Sequence, residues 1–185
     1  MNRERFDSIL DTAVALIDNE GEAALGWNRV AQALGVKPPS LYNHFDNIQS
    51  LRKHVALRGW VAFADEATQG CARARSPEGS LRAIANAYRA LAKARPGLFA
   101  VMNTTQIALD DRDFAPIATR LLKLFDEPLE ALGVSAANRV HAIRAMRSAI
   151  HGFVHLESAG QFAMDANVDR SFQWLIETFV KGVVE

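Results

Sequence analysis

Residues 27–45 read WNRVAQALGVKPPSLYNHF, and the spacing of their apolar side chains around one glycine and two adjacent prolines decides the fold. Val30, Ala31 and Leu34 fall at i, i+1 and i+4, so Trp27 to Leu34 makes an amphipathic helix with one apolar stripe. Gly35 stops it, because glycine just past a helix accepts the left-handed backbone that closes the last turn, and Val36 packs back onto the helix it has left. Pro38 and Pro39 lack amide hydrogens and suit only the first turn of a helix, so a second helix begins near Pro38. On it Leu41 and Phe45, four apart, face inward. Lys37, Pro38, Pro39, Ser40, Tyr42, Asn43 and His44 are left on or near the outer side. Two short helices, a tight turn and an outer side of short polar and aromatic groups have the chemistry of a helix-turn-helix reader of a DNA groove.

Ala31, Leu34, Gly35 and Val36, followed by Ser40, Leu41, Tyr42, Asn43, His44 and Phe45, stand at mutually fixed offsets. In this the chain resembles the TetR family of bacterial one-component regulators, over roughly its first third. Upstream, Phe6, Ile9, Leu10, Ala13, Leu16 and Ile17 repeat at helical spacing before Asn19, Glu20 and Gly21, as the family's first helix does. The resemblance implies an all-α fold, with a three-helix DNA-binding domain at residues 1–50 joined by a long helix to a helical effector-binding and dimerisation domain at residues 51–185. It also implies a cytoplasmic homodimer, more a repressor than an activator, that holds double-stranded operator DNA and releases it on binding a small, mainly apolar effector. Two positions depart from the family. Lys37 stands where a serine or threonine usually caps the reading helix, and a missing cap costs about 1 kcal/mol. Ile48 stands where a phosphate-binding lysine is common; Asn47 can cap the helix that starts there, and the amides of that helix end favour a phosphate by themselves.

At 185 residues the chain is long enough for one good core or two small ones sharing a long helix. Its composition, 49% hydrophobic and 23% charged, gives no sign of disorder. Met1 to Arg5 is polar and charged and no apolar run reaches spanning length, so neither a signal peptide nor a membrane anchor is expected. The single Cys71 excludes an intrachain disulfide and fits a reducing compartment. Formal net charge is zero, but it is unevenly spread. Met1 to Leu25 holds Arg3 and Arg5 against Glu4, Asp7, Asp11, Asp18, Glu20 and Glu22, while Gly26 to Trp60 holds Arg29, Lys37, Arg52, Lys53 and Arg58 against Asp46 alone. The second stretch has the sign of a DNA footprint.

No period-two alternation appears, and the remainder reads as helices: Ile48 to Thr68, then one opened by Ser76-Pro77-Glu78 with Ser76 as cap, then Leu98 to Ile107. Asp113 is expected to cap a helix that continues past Pro128 to Gly133, Ser135 to cap one running to Gly160, and Val168 to Val184 to form the last. The Ser135–Gly160 helix is apolar on two sides and needs two partners. Its small-residue stripe, including Ala145, Ala149 and Gly152, together with Phe172, Ile176, Phe179 and Val183 of the final helix, is expected to form half of a four-helix dimer interface. Burial of the same area within one subunit is the alternative. The segment from Arg147 to Phe153, with Glu157 after it, also resembles the WHG subgroup of the family.

His151 and His155 share a helix face and have spacing that permits two zinc ligands, with His141 near the same stripe. Gly152 stands where the zinc-protease pattern needs glutamate, so no metal and no cofactor are expected. No phosphate loop, nucleophile elbow or carboxylate pair is found, hence no catalytic residues. The resemblance implies an effector cavity, with Trp60, Phe63, Tyr88, Phe99, Met102, Leu122, Phe125 and His155 as candidate walls or plain core. Arg144 and Arg147 can pair with an acidic effector or with acidic neighbours. For the reader, Lys37, Tyr42 and His44 are expected on phosphates and Pro38, Pro39, Ser40 and Asn43 on base edges. A helical sensor or enzyme acting mainly through the C-terminal pocket is the competing reading.

Overall fold

A computed structural model describes residues 3–183, so the expected helix end at Val184 and the first two residues of the polar start lie outside it. Among the described residues there are helices and turns and no strand. The α-helices are α1 (Arg3–Glu20), α2 (Trp27–Ala33), α3 (Ile48–Arg73), α4 (Pro77–Ala94), α5 (Pro96–Thr104), α6 (Ala115–Ala131), α7 (Ala136–Ser158) and α8 (Val168–Gly182). They form two compact units, Met1–Ala62 with Ala94–Ala115, and Phe63–Lys93 with Pro116–Glu185.

In the first unit Ile9, Leu10, Ala13 and Ile17 of α1 are buried with Val30 and Ala31 of α2, Leu41 and Phe45 of the turn region, and Leu51 and Val55 of α3. Phe6 stacks on Phe45 at 4.7 Å, and His54 meets both rings edge-on. Beyond residues 1–50 the unit also takes in the first part of α3, α5 and the chain to Ala115. A single close approach places α5 there. A Cβ on Gly97 would overlap the Ile17 carbonyl, so only glycine lets the α5 backbone lie against α1. Asp18 then accepts from the Leu98 amide (2.9 Å) and from Arg95 Nε (2.5 Å), which holds the start of α5 in place.

The second unit buries Phe63, Leu81, Ile84, Tyr88, Leu121, Phe125, Leu129, Met146, Ile150, Val154, Phe172 and Ile176. Ser76 Oγ accepts from the Gly79 amide at 3.1 Å, the expected cap of α4. The cap of α6 differs from expectation: the Asp111 carboxylate, not that of Asp113, accepts from the amides of Asp113 and Phe114. Ser135 precedes α7, but its side chain makes no capping bond.

Candidate nucleic-acid interface

Two bonds build the turn ahead of the reading element. Val36 N donates to the Ala31 carbonyl (2.9 Å) and Gly35 N to the Gln32 carbonyl (3.1 Å), with Gly35 at φ +66°, the paired bonds of a glycine-closed helix end. The element that follows is shorter and tighter than the expected helix. Pro38–Asn43 is a 3-10 helix of 6 residues, its Ser40 amide bonded to the Lys37 carbonyl at 3.0 Å. At its far end His44 N and Phe45 N both donate to the Leu41 carbonyl, at 3.0 and 3.1 Å, so the i→i+3 pattern gives way to i→i+4 there.

Leu41 and Phe45 are buried as expected, at 0% and 2% exposure. Lys37, Pro39, Tyr42 and Asn43 are exposed, while Pro38, Ser40 and His44 are half-buried. Tyr42 rests against the Trp27 ring at 5.1 Å, a support the sequence did not single out. Ser40 Oγ donates to the Lys37 carbonyl at 2.8 Å and keeps only its acceptor side for another partner. Nδ1 of His44 is buried without a hydrogen bond, so that nitrogen cannot meet a phosphate. The Asn47 cap of α3 is formed, its Oδ1 accepting from Ser50 N at 2.9 Å. As expected, Lys37 caps nothing with its side chain.

The charges do not make the expected positive footprint. Arg29 pairs with Glu20, Arg52 with Glu22, Lys53 with Asp111 (2.7 Å) and Asp113 (3.1 Å), and Arg58 with Asp7 and Asp11 (both 2.8 Å). The hydrogen bond from Lys53 holds the Asp111 carboxyl below its ordinary range, and that bond in turn raises the lysine. Folding thus sets the acidic first stretch and the 111–113 turn against the basic second stretch. Of the five cations from Gly26 to Trp60, Lys37 alone has no ion pair among the described residues.

The candidate pocket walls are divided between the units. Trp60, Phe99 and Met102 lie in the first, where Trp60 meets Phe114 and Met102 packs on Gly59. Phe63, Tyr88, Leu122, Phe125 and His155 lie in the second, and none of the eight lines one of the cavities described within a unit. Leu122, 52% exposed, and His155 point outward because the buried rows of their helices run through Leu121 and Phe125, and through Met146, Ile150 and Val154. Phe63 meets Tyr88 edge-on, and the Tyr88 hydroxyl hydrogen-bonds Nδ1 of His151 at 2.9 Å. Burial, then the charges of Arg147 and His155, lower the pKa of His151, which favours the neutral ring. Among the described residues no three metal-ligating side chains gather.

Of the candidate dimer residues, Ala145 and Gly152 are exposed, and Ala149, Phe179 and Val183 are half-buried. Phe172 (0%) and Ile176 (2%) are core of their own unit, which corrects the expectation that the whole apolar row of the last helix meets a partner. Phe172 is held by Phe153 at 5.1 Å and by the guanidinium of Arg89 over its ring at 4.8 Å. The outward apolar groups are instead Val140, Leu156 and Trp174, the last 69% exposed. Trp174 escaped the sequence reading because it lies between two members of the buried row.

Comparison with known proteins supplies the remaining link. Residues 9–55 match the family model of bacterial regulatory proteins of the tetR family, and residues 81–179 that of the tetracyclin repressor-like C-terminal domain. The chain belongs to the TetR family of transcriptional regulators. An HTH-type transcriptional regulator of Mycobacterium tuberculosis, Rv0681, is 30% identical over 181 residues, covering 96% of this chain and 80% of the relative. Among solved structures, BioQ with its natural double-stranded DNA operator aligns at TM-score 0.71 and 22% identity, covering 97% of each chain. FadR from Bacillus subtilis in complex with stearoyl-CoA aligns at TM-score 0.74 and 17% identity, covering 96% of this TetR-family chain and 98% of FadR. At these identities the two structures speak for the fold. The C-terminal match is to the repressor-like domain, and likeness to the WHG subgroup rests on the 147–153 segment alone.

Proposed function

We propose that this TetR-family regulator is a cytoplasmic homodimeric repressor that reads a two-fold operator through Lys37–His44 and leaves it on binding a small, mainly apolar molecule. The observation that carries the reading is the outer face of the 3-10 helix. Lys37, Pro39, Tyr42 and Asn43 project from a backbone fixed by buried Leu41 and Phe45, and rigid support is what groove reading requires. Lys37 and Tyr42 serve phosphates and Asn43 the base edges, with the half-buried Pro38, Ser40 and His44 in lesser parts. Dimerisation through the outward side of α7 and α8 is supported by Ala145, Gly152, Leu156 and Trp174, all exposed. An apolar effector is supported by analogy with the stearoyl-CoA in the FadR complex. α3 is common to both units, so a ligand that alters the surroundings of Phe63 acts on a helix continuous with the Asn47 cap beside the reader. Reversing a 99:1 population takes about 5.5 kcal/mol of differential affinity, within reach of a few hundred Å² of apolar burial at about 25 cal/mol per Å².

Sedimentation tests the assembly. The wild-type chain is expected to run as a dimer, two chains to one duplex on DNA it selects, and Trp174→Glu or Gly152→Leu to yield monomers of unchanged helix content. A monomeric wild type, or a dimer intact in both variants, contradicts the assignment.

A further inference from the structure

The second unit holds a cavity of about 470 Å³ that DNA reading does not use, walled by Thr68 and Cys71 of α3, Ser80 of α4, and Leu124, Glu127 and Pro128 of α6. The size is that of a small-molecule site. Its remaining walls are carbon of alanine and proline, and no basic side chain lines it.

The hydroxyl and thiol donors on these walls are already engaged within the protein. Thr68 is fully engaged, donating to the Ala64 carbonyl at 2.6 Å and accepting from Arg120 at 2.7 Å. The Cys71 thiol points to the Ser80 carbonyl at 3.7 Å, and the Ser80 hydroxyl donates to the Ser76 carbonyl at 3.4 Å. Pro128 sits inside α6 and has no amide hydrogen, so the Leu124 carbonyl, four residues back on the same wall, loses its helical donor. Beside them stands the Glu127 carboxylate. Its own partner, Lys123 at 3.4 Å, is a surface pair with both side chains mostly exposed, which holds the carboxylate weakly. Burial foremost, and the Glu127 charge with it, raise the pKa of the Cys71 thiol. The cysteine is therefore a protonated wall that feels the negative charge of the site.

Two acceptors, one of them charged and held only by the surface lysine Lys123, on an otherwise apolar wall match a donor-bearing positive head on a compact apolar body. We propose that this cavity binds a small organic cation, a protonated primary amine whose N–H groups meet the Glu127 carboxylate and the Leu124 carbonyl. Carboxylates of the same shape are excluded by charge.

Titration of the full chain without DNA tests this, using 2-phenylethylammonium and 3-phenylpropionate as probes and calorimetry with the rate of Cys71 alkylation as readouts. The amine is expected to bind and to slow alkylation, and the carboxylate to do neither. Glu127→Gln, a conservative change at a mostly exposed side chain, is expected to weaken the amine about fivefold, and Lys123→Ala to tighten it about twofold. No amine binding, equal binding of the carboxylate, or an unchanged affinity in Glu127→Gln overturns the proposal. Because no DNA is present, each of these results leaves the operator reading standing.

Discussion

Lys37 is the residue on which the electrostatics of the reader turn. Arg29, Arg52, Lys53 and Arg58 already neutralise carboxylates of their own unit, and a cation so engaged displaces few counterions from DNA. Lys37→Ala is therefore expected to weaken all sequences alike and to flatten the salt dependence by about one unit of slope, whereas Arg29→Ala leaves the slope nearly unchanged. Asn43→Ala is expected to cost about 1–3 kcal/mol on the preferred site and to relax the choice of base there. Anisotropy titrations over a range of salt, on preferred and scrambled duplexes, separate these outcomes; a changed base preference in Lys37→Ala contradicts the division of roles. The outer face was legible in the sequence, because Leu41 and Phe45 fix which side is inward. The pairing of its neighbouring cations was not, since Glu20, Asp111 and their like reach those cations only through the fold.

Most elements set off by local chemistry were readable, the caps expected of Asp113 and Ser135 excepted, and elements placed by tertiary contact were not. Gly35, Ser76 and Asn47 each act on amides within a few residues, so their turn or caps follow from sequence spacing. The attachment of α5 to α1 depends on Gly97 meeting a carbonyl some eighty residues away, and nothing near Gly97 announces it. The inward turn of α8 likewise depends on Arg89, itself only 8% exposed, which forks onto Glu157 at 2.7 and 2.5 Å and reaches Asp169 at 2.7 Å. This network ties α4 to α7 and α8. The Arg89 hydrogen bonds hold the Glu157 carboxyl below its ordinary 4.5, against a smaller opposing effect of burial. A depressed carboxylate contributes its full stability above the unfolded pKa and loses it as pH falls through the folded one. Glu157→Gln is thus expected to cost about 2 kcal/mol at neutral pH, the gap from wild type closing below about pH 4.5. Thermal melts across that range check the sign: a gap that widens in acid refutes the assignment.

At the scale of the molecule, one short reader is a weak instrument. The 3-10 helix is short, and Lys37 just before it is the one cation of the Gly26–Trp60 stretch without an ion pair among the described residues, so specificity is expected to come from two copies acting on one face of a duplex, with half-sites about one helical turn, ~34 Å, apart. The family and the all-helical architecture were legible because they rest on motifs with fixed offsets. The units were not, because their boundary runs through α3 and returns at Ala94. Selection of bound duplexes from a random pool by the full-length chain tests the central claim most directly. Enrichment of a two-fold-symmetric site with half-sites one turn apart, lost when Tyr42 and Asn43 are both changed to alanine, is the predicted result. No enriched sequence, or the same site enriched by that double variant, would contradict it.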